Sequence, residues 1–113
     1  MRNKTLTGCF HKTAQDRTSY EIFEADSDFM FQIVEVLESR FGFHAITIPM
    51  DGFDVIYWDF ARDAIRVTVG WDVWSGCFVF ATTEAGDEIV KEIGQYLDGR
   101  LDELQALQKT DRA

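Results

Sequence analysis

Between residues 43 and 82 the chain runs through four consecutive segments of alternating apolar and polar side chains, joined by links of a few residues. Links that short join only antiparallel neighbours, because a parallel pair needs a crossover of about a dozen residues or more. The segments are 43–49, 53–60, 65–71 and 77–82. The third has the cleanest period of two, with Ile65, Val67, Val69 and Trp71 inward and Arg66, Thr68 and Gly70 outward. In the fourth, Phe78 and Phe80 share one face and Cys77, Val79 and Ala81 the other. Asp51-Gly52 between the first two predicts a tight type I′ turn, since both central residues of that turn take positive φ. Ala61-Arg62-Asp63 makes the next link and Gly70 to Gly76 the last. Pro49 cannot donate to a ladder, so its end of the strand lies at an edge or leaves the sheet.

The flanks add helices and one more strand. Residues 19–24 alternate, with Tyr20 and Ile22 on one side. Asp26 or Ser27 then offers a side-chain oxygen to the free amides of a helix start. Phe29, Met30, Ile33, Val34, Leu37 and Phe41 recur at helical spacing up to Gly42, a left-handed cap. A second helix begins near Thr83, with Glu84, Asp87 and Glu88 where its dipole favours negative charge. Its stripe is Ile89, Ile93, Tyr96, Leu97, Leu101, Leu104 and Leu107. Gly94 and Gly99 each cost about 1 kcal/mol relative to Ala inside a helix, but the stripe continues past both and predicts one long helix. The expectation is an α+β domain over residues 18–109, in the order β-α-β-β-β-β-α. Its antiparallel meander of about five strands packs on two helices as a two-layer sandwich. Residues 1–17 show no sustained period and predict a flexible basic arm. Leu6 to His11 could add an edge strand, and residues 110–113 are expected to fray.

Charge limits the partners. The 113 residues carry 11 Lys and Arg against 20 Asp and Glu, a net −9. Residues 1–17 hold four basic and one acidic side chain, +3; the remainder, 7 basic and 19 acidic, gives −12. Such a surface repels phosphate backbones and anionic lipid headgroups, which disfavours nucleic acid and membrane, and it steers basic proteins inward. Cys9 and Cys77 are far apart in the sequence, and a domain of this size needs no disulfide. With no apolar run of membrane-span length and no hydrophobic segment at Met1, the expected location is the cytoplasm, with both thiols reduced.

No catalytic or cofactor motif stands out. Asp51, Asp54, Asp59 and Asp72 lie near one another in the hairpins, but strand parity sends Asp54 and Asp59 to opposite faces, and Asp51 is explained by its turn. Cys9 and His11 supply fewer ligands than a zinc site requires. His44 reads as a packing residue at a strand start. Ser75 lacks the glycine pattern of a nucleophile elbow, and no phosphate-binding loop is present. No metal and no cofactor is therefore expected. The densest cluster of unusual residues is Trp71-Asp72-Val73-Trp74-Ser75-Gly76. Turn chemistry accounts for Asp72, Ser75 and Gly76, and Trp71 continues the inward row. Trp74 is left over, and an exposed indole is a common anchor of protein interfaces.

Three functions follow. The first is a small acidic protein-binding module, using Trp74, Asp72, Trp58, Tyr57 and Ser75 against a basic partner protein. In size, charge and α+β build the chain resembles the small acidic immunity proteins of bacterial toxin systems, whose negative faces cover basic toxin surfaces. That likeness implies an immunity- or inhibitor-like role. The second is an oligomeric structural or accessory domain without catalysis, a homodimer through the overhanging Leu101, Leu104 and Leu107. The third is an enzyme acting on a small ligand with Asp72 or Asp54 beside Trp58 and Trp74.

Overall fold

The computed structural model describes the backbone of residues 5–112 and the side chains of residues 5–108. Residues 1–4 of the expected arm and Ala113 of the expected frayed end lie outside the described residues. Among the described residues seven strands form one antiparallel sheet: β1 (Thr7–Lys12), β2 (Thr18–Phe23), β3 (His44–Ala45), β4 (Met50–Asp51), β5 (Val55–Arg62), β6 (Ile65–Asp72) and β7 (Gly76–Ala81). Across the sheet they run β1-β2-β7-β6-β5-β3, with β4 also on β5. A 3-10 turn (Ser27–Phe29) leads into α1 (Met30–Ser39), and α2 (Gly86–Asp98) and α3 (Leu101–Arg112) close the chain. The class is α+β with an antiparallel sheet. The strand count and order differ from the expected five-strand meander, and three helices replace two.

The register explains the core. Ile22, Cys77, Trp71 and Ile56 stand in one row across the sheet, and Tyr20, Val79, Val69 and Trp58 in the next. Both rows point to the same face, where Phe29, Met30, Ile33, Leu37, Ile93 and Leu97 of the helical layer meet them, all fully buried. Each such side chain contributes about 1.5–3 kcal/mol. The Asp26 side chain caps the 3-10 turn, its Oδ1 accepting from Phe29 N at 3.0 Å. The same oxygen accepts from Gln108 Nε2 of α3 at 2.8 Å, and the Asp26 carbonyl accepts from Cys77 Sγ at 3.2 Å. One residue thereby joins turn, sheet and last helix. Buried Cys77 has its thiol pKa pushed up by desolvation. Gly42, at φ 74°, follows α1 as expected.

Four expectations give way, each for a local reason. Residues 7–12, read as part of a flexible arm, pair one-to-one with β2 as an edge strand. The strand expected over 43–49 is broken: four residues, 46–49, oppose only Trp58 and Asp59 of β5, because the ladder steps from Ala45↔Phe60 to Met50↔Tyr57. Thr47 sustains this bulge, its carbonyl accepting from Trp58 Nε1 at 2.8 Å and its hydroxyl from Asp59 N at 3.1 Å. Asp51-Gly52 does not make a two-residue turn: neither residue has positive φ, and Gly52 N reaches Val55 O at 2.8 Å around a wider loop. The last helix starts three residues after Thr83, whose carbonyl accepts from Gly86 N in a tight turn, and it breaks at Gly99. There Arg100 Nη1 donates to the Tyr96 carbonyl at 3.0 Å, and its guanidinium lies 3.8 Å from the Tyr96 ring centroid, with Arg40 at 4.7 Å. The break folds α3 back onto the 3-10 turn. Leu101 and Leu104 are buried in the protein's own core, and Leu107 alone of the proposed dimer contact stays open, at 46% exposure.

Candidate binding face

Among the described residues no helix covers the second face of the sheet. Its rows are Glu21, Phe78, Gly70, Tyr57 and Met50, and beside them Ser19, Phe80, Thr68 and Asp59. The rings shelter one another: Tyr57 and Phe78 lie 5.8 Å apart and tilted, Phe78 and Phe80 5.8 Å apart and stacked. Gly70 makes this possible, because a Cβ there would strike the Phe78 ring and the Ile56 carbonyl. Thr68 Oγ1 donates to Asp59 Oδ1 at 2.7 Å. The result is a groove of about 210 Å³ floored by Tyr57, Phe78 and Phe80. Thr13 and Gln15 of the β1–β2 turn and Asp72 and Ser75 of the β6–β7 turn also line it, as do Ser19 and Glu21. Rings flanked by carboxylates suit a cationic side chain, which gains from both.

The β6–β7 turn is built by Asp72. Its Oδ1 accepts from Trp74 N at 2.9 Å and from Ser75 N at 2.5 Å. Gly76 closes the turn at φ 82°, packed so tightly against the Ile22 carbonyl that no side chain fits. Val73 N donates to Asp54 O at 3.1 Å, tying this turn to the loop before β5. Together the two loops hold three open apolar side chains at one end of the sheet: Trp74 at 80% exposure, Phe53 at 100% and Val73 at 56%. Trp74 also borders a second hollow of about 300 Å³ with Glu24, Asp26 and Trp71.

Of the residues singled out from sequence, Tyr57, Asp72 and Ser75 meet in the groove, and Trp74 stands at the end of the sheet beside it. Trp58 does not join them. It points to the helical face, 5.0 Å from the Phe60 ring and 6.4 Å from Phe31. That separates it from Asp72 by the thickness of the sheet, so the expected pairing of Trp58 with Asp72 is not formed. Asp54 sits in a loop, not in a strand. Phe78, Phe80, Ser19 and Glu21 were missed. Their alternation was visible, but nothing in it says which face the helices leave bare.

Compared with family models, curated proteins and solved structures, the chain matches none. Among the described residues no three His, Cys, Asp or Glu side chains gather as a metal site, and no helix is long and apolar enough to cross a membrane.

Proposed function

We propose that the chain is a protein-binding module whose uncovered sheet face takes basic side chains of a partner protein, in an immunity- or inhibitor-like role. One observation carries the reading: the groove floored by Tyr57, Phe78 and Phe80 is bordered by Glu21 and Asp72, with no lysine or arginine among the described residues that line it and only His11 Nε2, 3.7 Å from Glu21 Oε1, beside a bordering carboxylate. The rings offer negative faces and the carboxylates offer acceptors, a pairing that fits lysine and arginine. Trp74, Phe53 and Val73 supply apolar anchors at the end of the same sheet. The net charge of −9 steers such a partner toward the module. A cytoplasmic setting goes with this reading, both cysteines being free thiols.

The test is site-specific photocrosslinking in the source cells. A crosslinking side chain at position 57 or 74 should trap a basic protein, and one at Glu92, on an exposed turn of α2, should not. The trapped complex should loosen as salt rises, because opposite charges at a surface are screened within about 10 Å at 0.1 M salt. Equal trapping from all three positions, or a complex indifferent to salt, contradicts the reading.

A further inference from the structure

A second surface differs in chemistry from the rest of the molecule. β1 is the sheet's outer strand and pairs only with β2 among the described residues. Its register is continuous from Thr7 to Lys12, with no bulge, and its sequence contains no proline. Edge strands in natural proteins are usually blunted by such devices, because every second residue of an edge turns its N–H and C=O outward. Here the outer edge is a regular six-residue template, most of its residues exposed. Along it runs a groove of about 450 Å³ between β1 and α2, lined by Phe10, His11, Lys12, Thr18, Lys91 and Gln95.

Two properties of this groove select its occupant. The Phe10 ring, 43% exposed and 5.0 Å from the buried Tyr20 ring, gives it an apolar wall. Among the described residues its lining contains Lys12 and Lys91 and no carboxylate, on a chain with 20 acidic residues, while His11 turns to the other side of the strand, its Nε2 3.7 Å from Glu21 Oε1. Lys91 reaches Glu88 at 3.3 Å, an exposed pair along the helix that a stronger acceptor can displace. A second copy of the chain, paired through its own Thr7–Lys12, would bring no carboxylate to these lysines, since that strand has none. We infer that β1 is a docking edge for an extended acidic segment of another protein, added to the sheet as an eighth strand. Main-chain hydrogen bonds to Thr7–Lys12 would hold it, and its side chains of one parity, all carboxylates, would face Lys12 and Lys91 with their methylene stems over Phe10, which shares that face. The edge and the open-face groove meet only where His11 Nε2 lies 3.7 Å from Glu21 Oε1, and the test of the edge does not involve Tyr57 or Trp74.

The probe is a blocked, fluorescein-labelled heptapeptide of alternating glutamate and valine, followed by anisotropy at low salt with the full chain. Saturable binding is expected with a dissociation constant below about 1 mM. The Lys12→Glu/Lys91→Glu variant should bind about tenfold more weakly or worse, and Lys12→Gln/Lys91→Gln should fall between. Circular dichroism should show both variants folded, since both lysines lie on the surface. N-methylation of alternate peptide amides should abolish binding, and the bound peptide should slow amide exchange within residues 7–12. The inference is overturned by absence of saturable binding below about 1 mM, by equal binding of the lysine-for-glutamate peptide, or by binding that the charge-reversal variant retains. It is equally overturned if sedimentation shows a dimer whose residues 7–12 are already protected without peptide.

Discussion

Both faces of this sheet carry aromatic side chains, but only one is roofed by helices. On the helical side Tyr20, Phe60 and Trp58 interleave with Ile22, Val69 and Val79, and the α-helical side chains fill the space above them. On the other side Tyr57, Phe78 and Phe80 shelter one another within the sheet itself. Phe78 is nonetheless 6% exposed, because its ring lies over Gly70 on the neighbouring strand. A ring can thus be buried within a single layer when the opposite residue has no side chain. Burial therefore does not distinguish the two faces; depth of packing does. One face has atoms on all sides, and the other ends in solvent.

The largest expected effect separates the faces by stability. Phe60→Ala should lose about 3–5 kcal/mol in urea unfolding, the usual range for a fully enclosed ring. Tyr57→Ala, whose ring is half open, should lose less than about 1 kcal/mol. Comparable losses at both positions would mean that the open face is as densely packed as the core. Next comes Gly70→Val, which should destabilise by about 1–3 kcal/mol through collision with Phe78. A companion Phe78→Ala should restore part of that loss, and a double-mutant cycle with no coupling would dissociate the two residues. Smaller again is Asp26→Ala, expected to remove about 1–2 kcal/mol with the cap of the 3-10 turn. Gln108→Ala in that background should then add little, because its partner is already gone.

The smallest effects are in the pH profile, and they have opposite signs. The Asp87 carboxylate accepts from Thr18 N at 2.8 Å and forms an ion pair with Arg17 at 3.0 Å. The Thr18 amide first, and then the Arg17 charge, hold its pKa below the ordinary value of 3.8 despite some desolvation. A depressed folded-state pKa gives stability that is present above that value and is lost as pH falls through the folded one. Asp87→Asn should flatten this acid limb. Tyr20 is the reverse: burial, then a hydrogen bond to Asp98 at 2.7 Å, raise its phenol above the ordinary 10.0. Its contribution is complete below pH 10 and is lost as pH rises beyond it, so Tyr20→Phe should flatten the alkaline limb. Unfolding midpoints across pH decide both.

What could be read from the sequence was what depends on one period or one cap. β6 was legible because Ile65, Val67, Val69 and Trp71 do face the core, and the first helix because Asp26 and Gly42 mark its ends. β1 was legible only as an edge-strand alternative to the flexible arm, over Leu6 to His11, since a strand with most residues in water has little alternation to display. The bulge at 46–49 depends on a Thr47 hydroxyl replacing a backbone acceptor, a substitution invisible to pattern. The break at Gly99 was masked because Leu101 and Leu104 stay in helical phase across it, although they bury against the turned-back chain. For the candidate face, Tyr57, Asp72 and Ser75 were found by composition. Trp58 was grouped with Tyr57 by proximity in sequence, although neighbouring strand residues point to opposite sides.

The central claim is that the unroofed aromatic layer exists for contact with a cationic protein. The most direct measurement is partner affinity of the Tyr57→Ala/Trp74→Ala protein, alongside its unfolding curve. The account predicts an unfolding midpoint close to that of the unmodified chain and binding weakened by about a hundredfold or more, as expected when two interface anchors are removed. Undiminished binding by a folded double variant would contradict it.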